Sequence, residues 1–395
     1  MIFRTVIFLI VLGPPVCLLA APQFTNAAWS GTGLILGGTG GGTNPDYALL
    51  VSTNALLPLA NWTKAQTNSF DATGHFSLTN PATPTLKQQF FALQSLSAEN
   101  DLWVPTCGIW LGAACSNGTT AAFSNHETRI GRQLDVLRIY HTPGSWTKLT
   151  TTESNYISEG RRLLLSFKPN SQWSNAVGVA NGGSATVDSQ MTSLAKSIAG
   201  AKPHKIMLCV WHEPENDVTG SVSGAHAGTT TQYVEMWHNV RSIFDANGAT
   251  NVIWCWIAED YPPLRYLTGS LWPGNSYVDW LMWDEYEDAS DTSFTNVLQN
   301  GYTWMTTNST STNNYLGKPW GIAEWGVGIN SYLPTVAAQT NGINGLNAAV
   351  NKYHEFPKLN LLEYFDEGSP ALLTGAMGSY SNFANSLVLG QQCVH

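Results

Sequence analysis

A chain of 395 residues has room for about two domains of the usual ~100–200 residues. Hydrophobic residues make up 43% and charged residues only 11%, well below the roughly 25% charged of an average globular protein, which excludes an intrinsically disordered chain. With 18 basic and 27 acidic residues the net charge is −9. There is then no basic footprint for a nucleic acid. A polar surface of Thr, Ser, Asn and Gly, combined with 16 Trp, suits an exported protein that handles neutral polar ligands.

The first element is a targeting segment. Arg4 precedes the apolar run Val6–Leu12, which stops at Gly13-Pro14-Pro15 and is followed by the small residues Ala20 and Ala21. This pattern predicts a secretory signal peptide over 1–21, cleaved between Ala20 and Ala28. A membrane anchor would need about 20 unbroken apolar residues. The mature chain is therefore expected to be a soluble monomer, secreted or periplasmic, with no membrane attachment. Beyond Cys17 the cysteines are Cys107, Cys115, Cys209, Cys255 and Cys393; an odd number leaves at least one thiol free or paired between chains. Cys107 and Cys115 flank a short loop and fit a bridge in an oxidising compartment. Cys209 and Cys255 lie in apolar runs that predict buried, inert thiols. No Cys or His pair has zinc-ligand spacing, and neither a metal nor an organic cofactor is predicted.

From 22 to 98 the pattern is short alternating segments between Gly, Asn and Pro clusters. Leu34–Leu36, Tyr47–Ser52 and Phe90–Leu93 read as strands, and Asp71–Gly74 reads as a hairpin turn. The Gly37–Gly42 run has no strand–helix context for phosphate binding. A small all-β accessory module without a catalytic role is expected here.

From 99 to 395 strands alternate with helical stretches. The strands are Ile109–Leu111, Val136–Tyr140, Leu163–Phe167, Ile206–Trp211, Val252–Trp256, Trp280–Trp283, Trp320–Ala323 and Leu361–Phe365. The clearest helix is Gln232–Asn247, with Tyr233, Met236, Trp237, Val240, Ile243 and Phe244 at i, i+3, i+4 spacing. Continuous apolar strands are expected when both faces are buried. The fold class is thus α/β: a (β/α)8 TIM barrel preceded by a small all-β module. A doubly wound sheet would want a Gly-rich turn after its first strand, and Gly108-Ile-Trp-Leu-Gly112 does not supply one.

Barrel chemistry sits at the C-terminal strand ends. The fourth strand ends in His212-Glu213-Pro214-Glu215-Asn216 and the seventh in Glu324-Trp325-Gly326. Two glutamates at opposed strand mouths are what a retaining glycosidase needs: one protonates the leaving oxygen and the other attacks the anomeric carbon, with the carboxyls about 5–5.5 Å apart.

From about Gly108 to Phe383 the sequence resembles glycoside hydrolase family 26, which includes the β-mannanases. The resemblance rests on His212-Glu213 and Glu324, and in order on Arg138-Ile-Tyr-His141, Ser166-Phe-Lys168, Val252-Ile-Trp-Cys-Trp256, Val278-Asp-Trp280, Asp284-Glu-Tyr286 and Tyr364-Phe-Asp366. It implies Glu213 as general acid/base and Glu324 as nucleophile. It further implies a polysaccharide substrate cut by retaining double displacement, with β-1,4-mannan favoured over β-1,3-xylan or mixed-linkage glucan. A binding protein on an inactive barrel is the reading from another class; loss of either glutamate would have marked it.

His212 and Tyr286 are expected to donate hydrogen bonds to Glu324, and Trp256 to stack on a sugar face. His141, Lys168, Asp284 and Asp366 are expected as polar substrate contacts, Glu259 and Asp260 as rim or solvated groups, and Trp325 as packing. One departure stands out: where the family motif has His-Glu, an apolar residue and Asn, this chain inserts Glu215. It reads as a loop carboxylate near Asn216 and Asp217, with the acid/base role as its alternative.

Overall fold

The computed structural model describes residues 23–30, 33–39, 46–55, 62–69, 71, 75–81, 88–96, 103–105 and 108–386, except 224–225, 289–292, 329–332, 354–355, 357 and 369. The expected signal peptide, Cys107 and Cys393 lie outside the described residues. The chain divides into two compact units, with the change at 101/102.

The first unit holds β1 (Gln23–Ser30), β2 (Gly33–Thr39), β3 (Asp46–Ser52), β4 (Thr63–Ser69), β5 (Phe76–Pro81) and β6 (Phe90–Leu96). They form two three-stranded antiparallel sheets, β1-β2-β5 and β4-β3-β6. The period of two decides what meets between them. Leu34, Leu36, Phe76 and Leu78 from one sheet share a core with Tyr47, Leu49, Phe91 and Leu93 from the other. Of the expected Asp71–Gly74 turn, 72–74 lie outside the described residues, and the Asp71 N–H donates to the His75 carbonyl at 2.9 Å. The connection is not a hairpin turn, however, because the strands it joins, β4 and β5, belong to different sheets. Turn chemistry marks where the chain reverses, not which strand it pairs with next.

The second unit alternates strand and helix eight times. Its strands are β7 (Trp110–Cys115), β8 (Val136–His141), β9 (Arg162–Phe167), β10 (Ile206–Val210), β11 (Val252–Glu259), β12 (Trp280–Glu287), β13 (Trp320–Val327) and β14 (Leu359–Asp366). The helices that follow them in turn are α1 (Thr120–Ile130), α2 (Thr151–Ser158), α3 (Ala185–Ala199), α4 (Thr230–Ala246), α5 (Arg265–Thr268), α6 (Phe294–Asn308), α7 (Val336–Ala348) and α8 (Met377–Ala384). Every neighbouring pair is parallel, and β14 pairs with β7 to close the barrel.

Local signals explain the helix starts. Thr150 with Glu153, and Thr229 with Gln232, form reciprocal capping boxes on α2 and α4. This is why α4 begins three residues before its first apolar position, Tyr233. Strand alternation sorts the apolar residues into two layers. Trp110, Met207, Cys209, Ile253, Cys255, Trp280 and Met282 fill the barrel interior, where Trp110 stacks on Trp280 with ring planes 8° apart. Leu208, Trp254, Trp256, Trp283 and Trp325 point the other way, into the layer beneath the helices. Cys209 and Cys255 are buried free thiols, and so is Cys115; the bridge expected at Cys115 is not formed among the described residues. No helix among the described residues is long and apolar enough to cross a membrane.

Candidate active site

The site is built from strand ends. Glu324 owes its direction to a bulge in β13. Trp283 pairs with Ile322, but Asp284 pairs with Glu324, so one extra residue stands on β13. The bulge shifts the strand's alternation. Ala323 still packs in the interior while Trp325 turns to the helix layer, leaving Glu324 aimed into the barrel mouth. Its two oxygens are filled by donors: Tyr140 Oη donates to Oε1 and Tyr286 Oη to Oε2, both at 2.6 Å. The fully buried Arg138 guanidinium lies 3.5 Å from Oε1. Charge-assisted bonds of this kind suit a carboxylate.

Glu213 sits in the opposite environment. It follows β10 in a left-handed conformation with φ of 50°, just before the single 3-10 turn Pro214–Asp217. Among the described residues its side chain receives a single long bond, from Asn216 Nδ2 at 3.4 Å. Burial first, then the negative charges of Glu324, Glu259 and Glu215, push its carboxyl well above the usual carboxylate range. An oxygen of each of Glu213, Asp284 and Glu324 lies within 4.8 Å of the others. Asp284 is buried, and burial with the charges of Glu324 and Glu213 drives its carboxyl well up too. The cluster therefore carries fewer negative charges than carboxyl groups. Arg138 remains cationic: burial opposes its charge, but Tyr140, Asp284, Glu324 and Glu363 outweigh it. The Tyr140 and Tyr286 phenols are held far above their ordinary range by burial and by Glu324, so they persist as donors.

The remaining expected residues divide. Tyr286 and Asp284 join the two glutamates. His212 lies at the mouth, but its ring packs on Tyr140 at 5.4 Å, and the donors to Glu324 are tyrosines instead. Burial, then the charges of Arg138 and Lys168, keep this imidazole neutral. Lys168 is committed to Asp217 at 3.0 Å and lies 4.5 Å above the Trp211 ring. His141 stacks on Trp146 at 4.1 Å while its Nε2 meets Glu153 at 2.6 Å, fastening the end of β8 to α2. These two are rim residues with polar partners of their own.

Trp256 and Asp366 are corrections. Trp256 is fully buried in the helix layer, edge-on to Trp272 at 5.1 Å, and offers no face to a sugar. Asp366 accepts from His126 Nδ1 at 2.8 Å, Arg129 at 3.2 Å and the Leu372 N–H at 2.7 Å. Burial alone would raise its carboxyl, but these partners hold it below its usual range. It ties β14 to α1. Glu215 lies on the turn beside Asn216 and Asp217, where it is fully buried and accepts from the Glu259 N–H at 3.3 Å. Glu259 is pushed up to about 7 by burial. Trp325 packs against Tyr364 as expected.

The residues not nominated from sequence are Tyr140 and Arg138. The signal was present in Arg138-Ile-Tyr-His141. Alternation puts 138 and 140 on the face of Val136, which lies in the interior, and His141 on the other.

No protein-family model matches the chain. Over 208 residues it is 27% identical to endoglucanase H of Acetivibrio thermocellus, covering 51% of this chain and 20% of that protein. The chain thus spans about a fifth of the length of the curated relative it matches. Among solved structures it is similar to the family 26 domain of an endo-β-mannanase/endo-β-glucanase from Prevotella bryantii, with TM-score 0.52 and 16% identity over 71% of this chain and 90% of that one. The fold is that of the family 26 glycoside hydrolases. A modular endo-β-1,4-mannanase from Cellulomonas fimi is similar at TM-score 0.51 and 17% identity, over 71% of each chain. A family 26 β-mannanase from Bacteroides ovatus is similar at TM-score 0.50 and 15% identity, over 73% of this chain and 91% of that one.

Proposed function

We propose that the chain is a retaining glycoside hydrolase acting on a neutral, β-linked polysaccharide, with β-1,4-mannan as the first substrate to test. One observation carries this reading. Glu213 and Glu324 present oxygens within 4.8 Å of each other, one short of donors and the other saturated with them. Retaining enzymes hold their carboxyls about 5–5.5 Å apart, whereas inverting ones leave roughly 6.5–9.5 Å for a water.

In the first step Glu213 gives its proton to the glycosidic oxygen as Glu324 attacks the anomeric carbon. The C–O bond to the leaving sugar breaks and a glycosyl ester forms on Glu324. In the second step the ionised Glu213 takes a proton from water, which displaces Glu324 and restores the original anomeric configuration. Tyr286, Tyr140 and Arg138 hold the Glu324 oxygens for attack and stabilise the carboxylate as it leaves. Asp284, the third carboxyl of the cluster, faces the same space and is suited to a sugar hydroxyl.

Mannan comes first because solved relatives of this fold are mannanases. A β-glucan is the second reading, favoured by the sequence likeness to an endoglucanase. Export, with a signal segment over 1–21, and an accessory role for the first unit belong to the same proposal and rest on the sequence. The deciding experiment is reducing-sugar release from soluble mannans, xylans and β-glucans, with Glu324→Gln alongside. Activity on one polymer that vanishes in the variant is the expected result. Silence on every polymer, with retardation in affinity electrophoresis, would instead support a binding protein.

A further inference from the structure

β11 extends to Glu259, beyond the point where its neighbour β10 stops at Val210. Past Val210 the chain bends through two left-handed residues, Trp211 at φ 63° and Glu213 at φ 50°. Neither is glycine. Such conformations are costly for non-glycine residues and persist only where surrounding bonds over-determine them. Part of the determination is visible: the Trp211 N–H donates to Phe167 O at 2.8 Å and the Glu213 N–H to Ile257 O at 3.0 Å.

In a parallel ladder, a residue that donates to residue n of its neighbour accepts from the N–H of residue n+2. The Glu213 carbonyl would accordingly receive Glu259. It does not, because the turn draws that carbonyl away to accept from Asn216 at 3.2 Å. The Glu259 N–H bonds to Glu215 Oε2 at 3.3 Å instead. Glu215 is fully buried, on the one residue that departs from the family motif. Its carboxyl stands where a strand carbonyl is missing.

We propose that Glu215 is a positioning residue for Glu213: it completes the β10–β11 ladder with its side chain and so holds the left-handed turn that aims the acid/base into the cleft. The proposal rests on Glu213 being the acid/base. What it requires of residue 215 is an acceptor oxygen at glutamate's reach, not a charge. Glutamine supplies one, aspartate falls one methylene short and alanine has none.

The test compares Glu215→Gln, Glu215→Asp and Glu215→Ala on a polymer and on an aryl glycoside with a good leaving group. Misplacing a catalytic group by about 1 Å costs on the order of 10²-fold. Glu215→Ala and Glu215→Asp should therefore lose roughly 10–100-fold in kcat on the polymer, where protonation of the leaving group matters. On the activated glycoside they should lose far less, and Glu215→Gln should restore the polymer rate. Equal loss on both substrates, or glutamine failing like alanine, would overturn the proposal. A second readout does not need activity. Hydrogen exchange at the Glu259 amide should be slow in the wild type and Glu215→Gln, and fast in Glu215→Asp or Glu215→Ala. Unchanged protection would overturn the ladder whatever the chain hydrolyses. A wild type silent on all glycans but with this exchange pattern would fault the functional reading and leave the ladder standing. Should the alanine variant not fold, the aspartate and glutamine variants carry the comparison.

Discussion

Glu213 and Glu324 are one residue type in one cleft, and only their neighbours set them apart. Two phenols and a guanidinium surround Glu324; burial and three carboxyls surround Glu213. With this division, Glu324→Ala should abolish turnover and added azide should rescue it with inverted product; no rescue would remove Glu324 as nucleophile. Glu213→Ala should cripple hydrolysis of poor leaving groups and spare activated aryl glycosides, and a uniform loss would count against its acid/base role. A bond to a charged group contributes about 1.5–3 kcal/mol, so Tyr286→Phe should lower kcat roughly 10–100-fold, with little change in KM. Because Glu213 must enter the first step protonated, kcat/KM should fall on the alkaline side as it loses that proton. That limb should lie well above the ordinary carboxylate range and disappear in Glu213→Gln on activated substrates.

At the scale of the element, alternation along parallel strands sorts the candidates. The strands were legible as apolar runs because both their faces are covered, but the same double burial hides which face is which. That is why Trp256 reads as a sugar platform in sequence and lies under the helices in space. Trp256→Ala should destabilise the fold by ~3–5 kcal/mol in denaturant titration, with KM of the folded enzyme unchanged; a raised KM at full stability would return it to the site. Strand ends were read too short for a related reason. The expected seventh strand is the run Trp320–Ala323, yet the strand continues to Val327. In a barrel the polar C-terminal ends are still strand, since they form the floor of the site. The bulge that aims Glu324 has no signature in composition or periodicity. It exists because neighbouring strands of different register must close into one barrel.

At the scale of the whole molecule, low charge and abundant aromatics place carboxyls in a nearly dry interior. Burial pushes Glu215 up to about 8 and Glu259 to about 7, and Asp284, Glu285 and Glu363 are raised as well. Each binds its proton more tightly folded than unfolded, where glutamate titrates near ~4.3. Stability from these groups is complete below the unfolded value and is lost as pH rises through the folded one. Thermal melts should therefore show Tm falling between about pH 4.5 and 8, with a shallower decline in Glu215→Gln. Asp366 acts in the opposite sense and withdraws support only at the acid end. The division at 101/102 carries its own test. Removal of 1–101 should leave a cooperatively melting barrel that still cleaves soluble substrate, whereas an aggregated product would make the first unit part of the fold.

The sequence by itself determined the eightfold strand–helix alternation, the burial of both strand faces and the candidate glutamates at strands four and seven. These follow from local periodicity and from chain order, which a linear string retains. Only the tertiary structure decided which residues surround those glutamates. Tyr140 and Arg138 reach Glu324 across some 184 positions of chain in the nearer case, Asp366 is drawn away to α1, and Glu215 turns inward to accept from the Glu259 N–H of β11. Each outcome depends on strand register and on which polar groups compete for partners in a buried space. Register is set only when the barrel closes, and a side chain's partner is fixed only once every other partner has been taken.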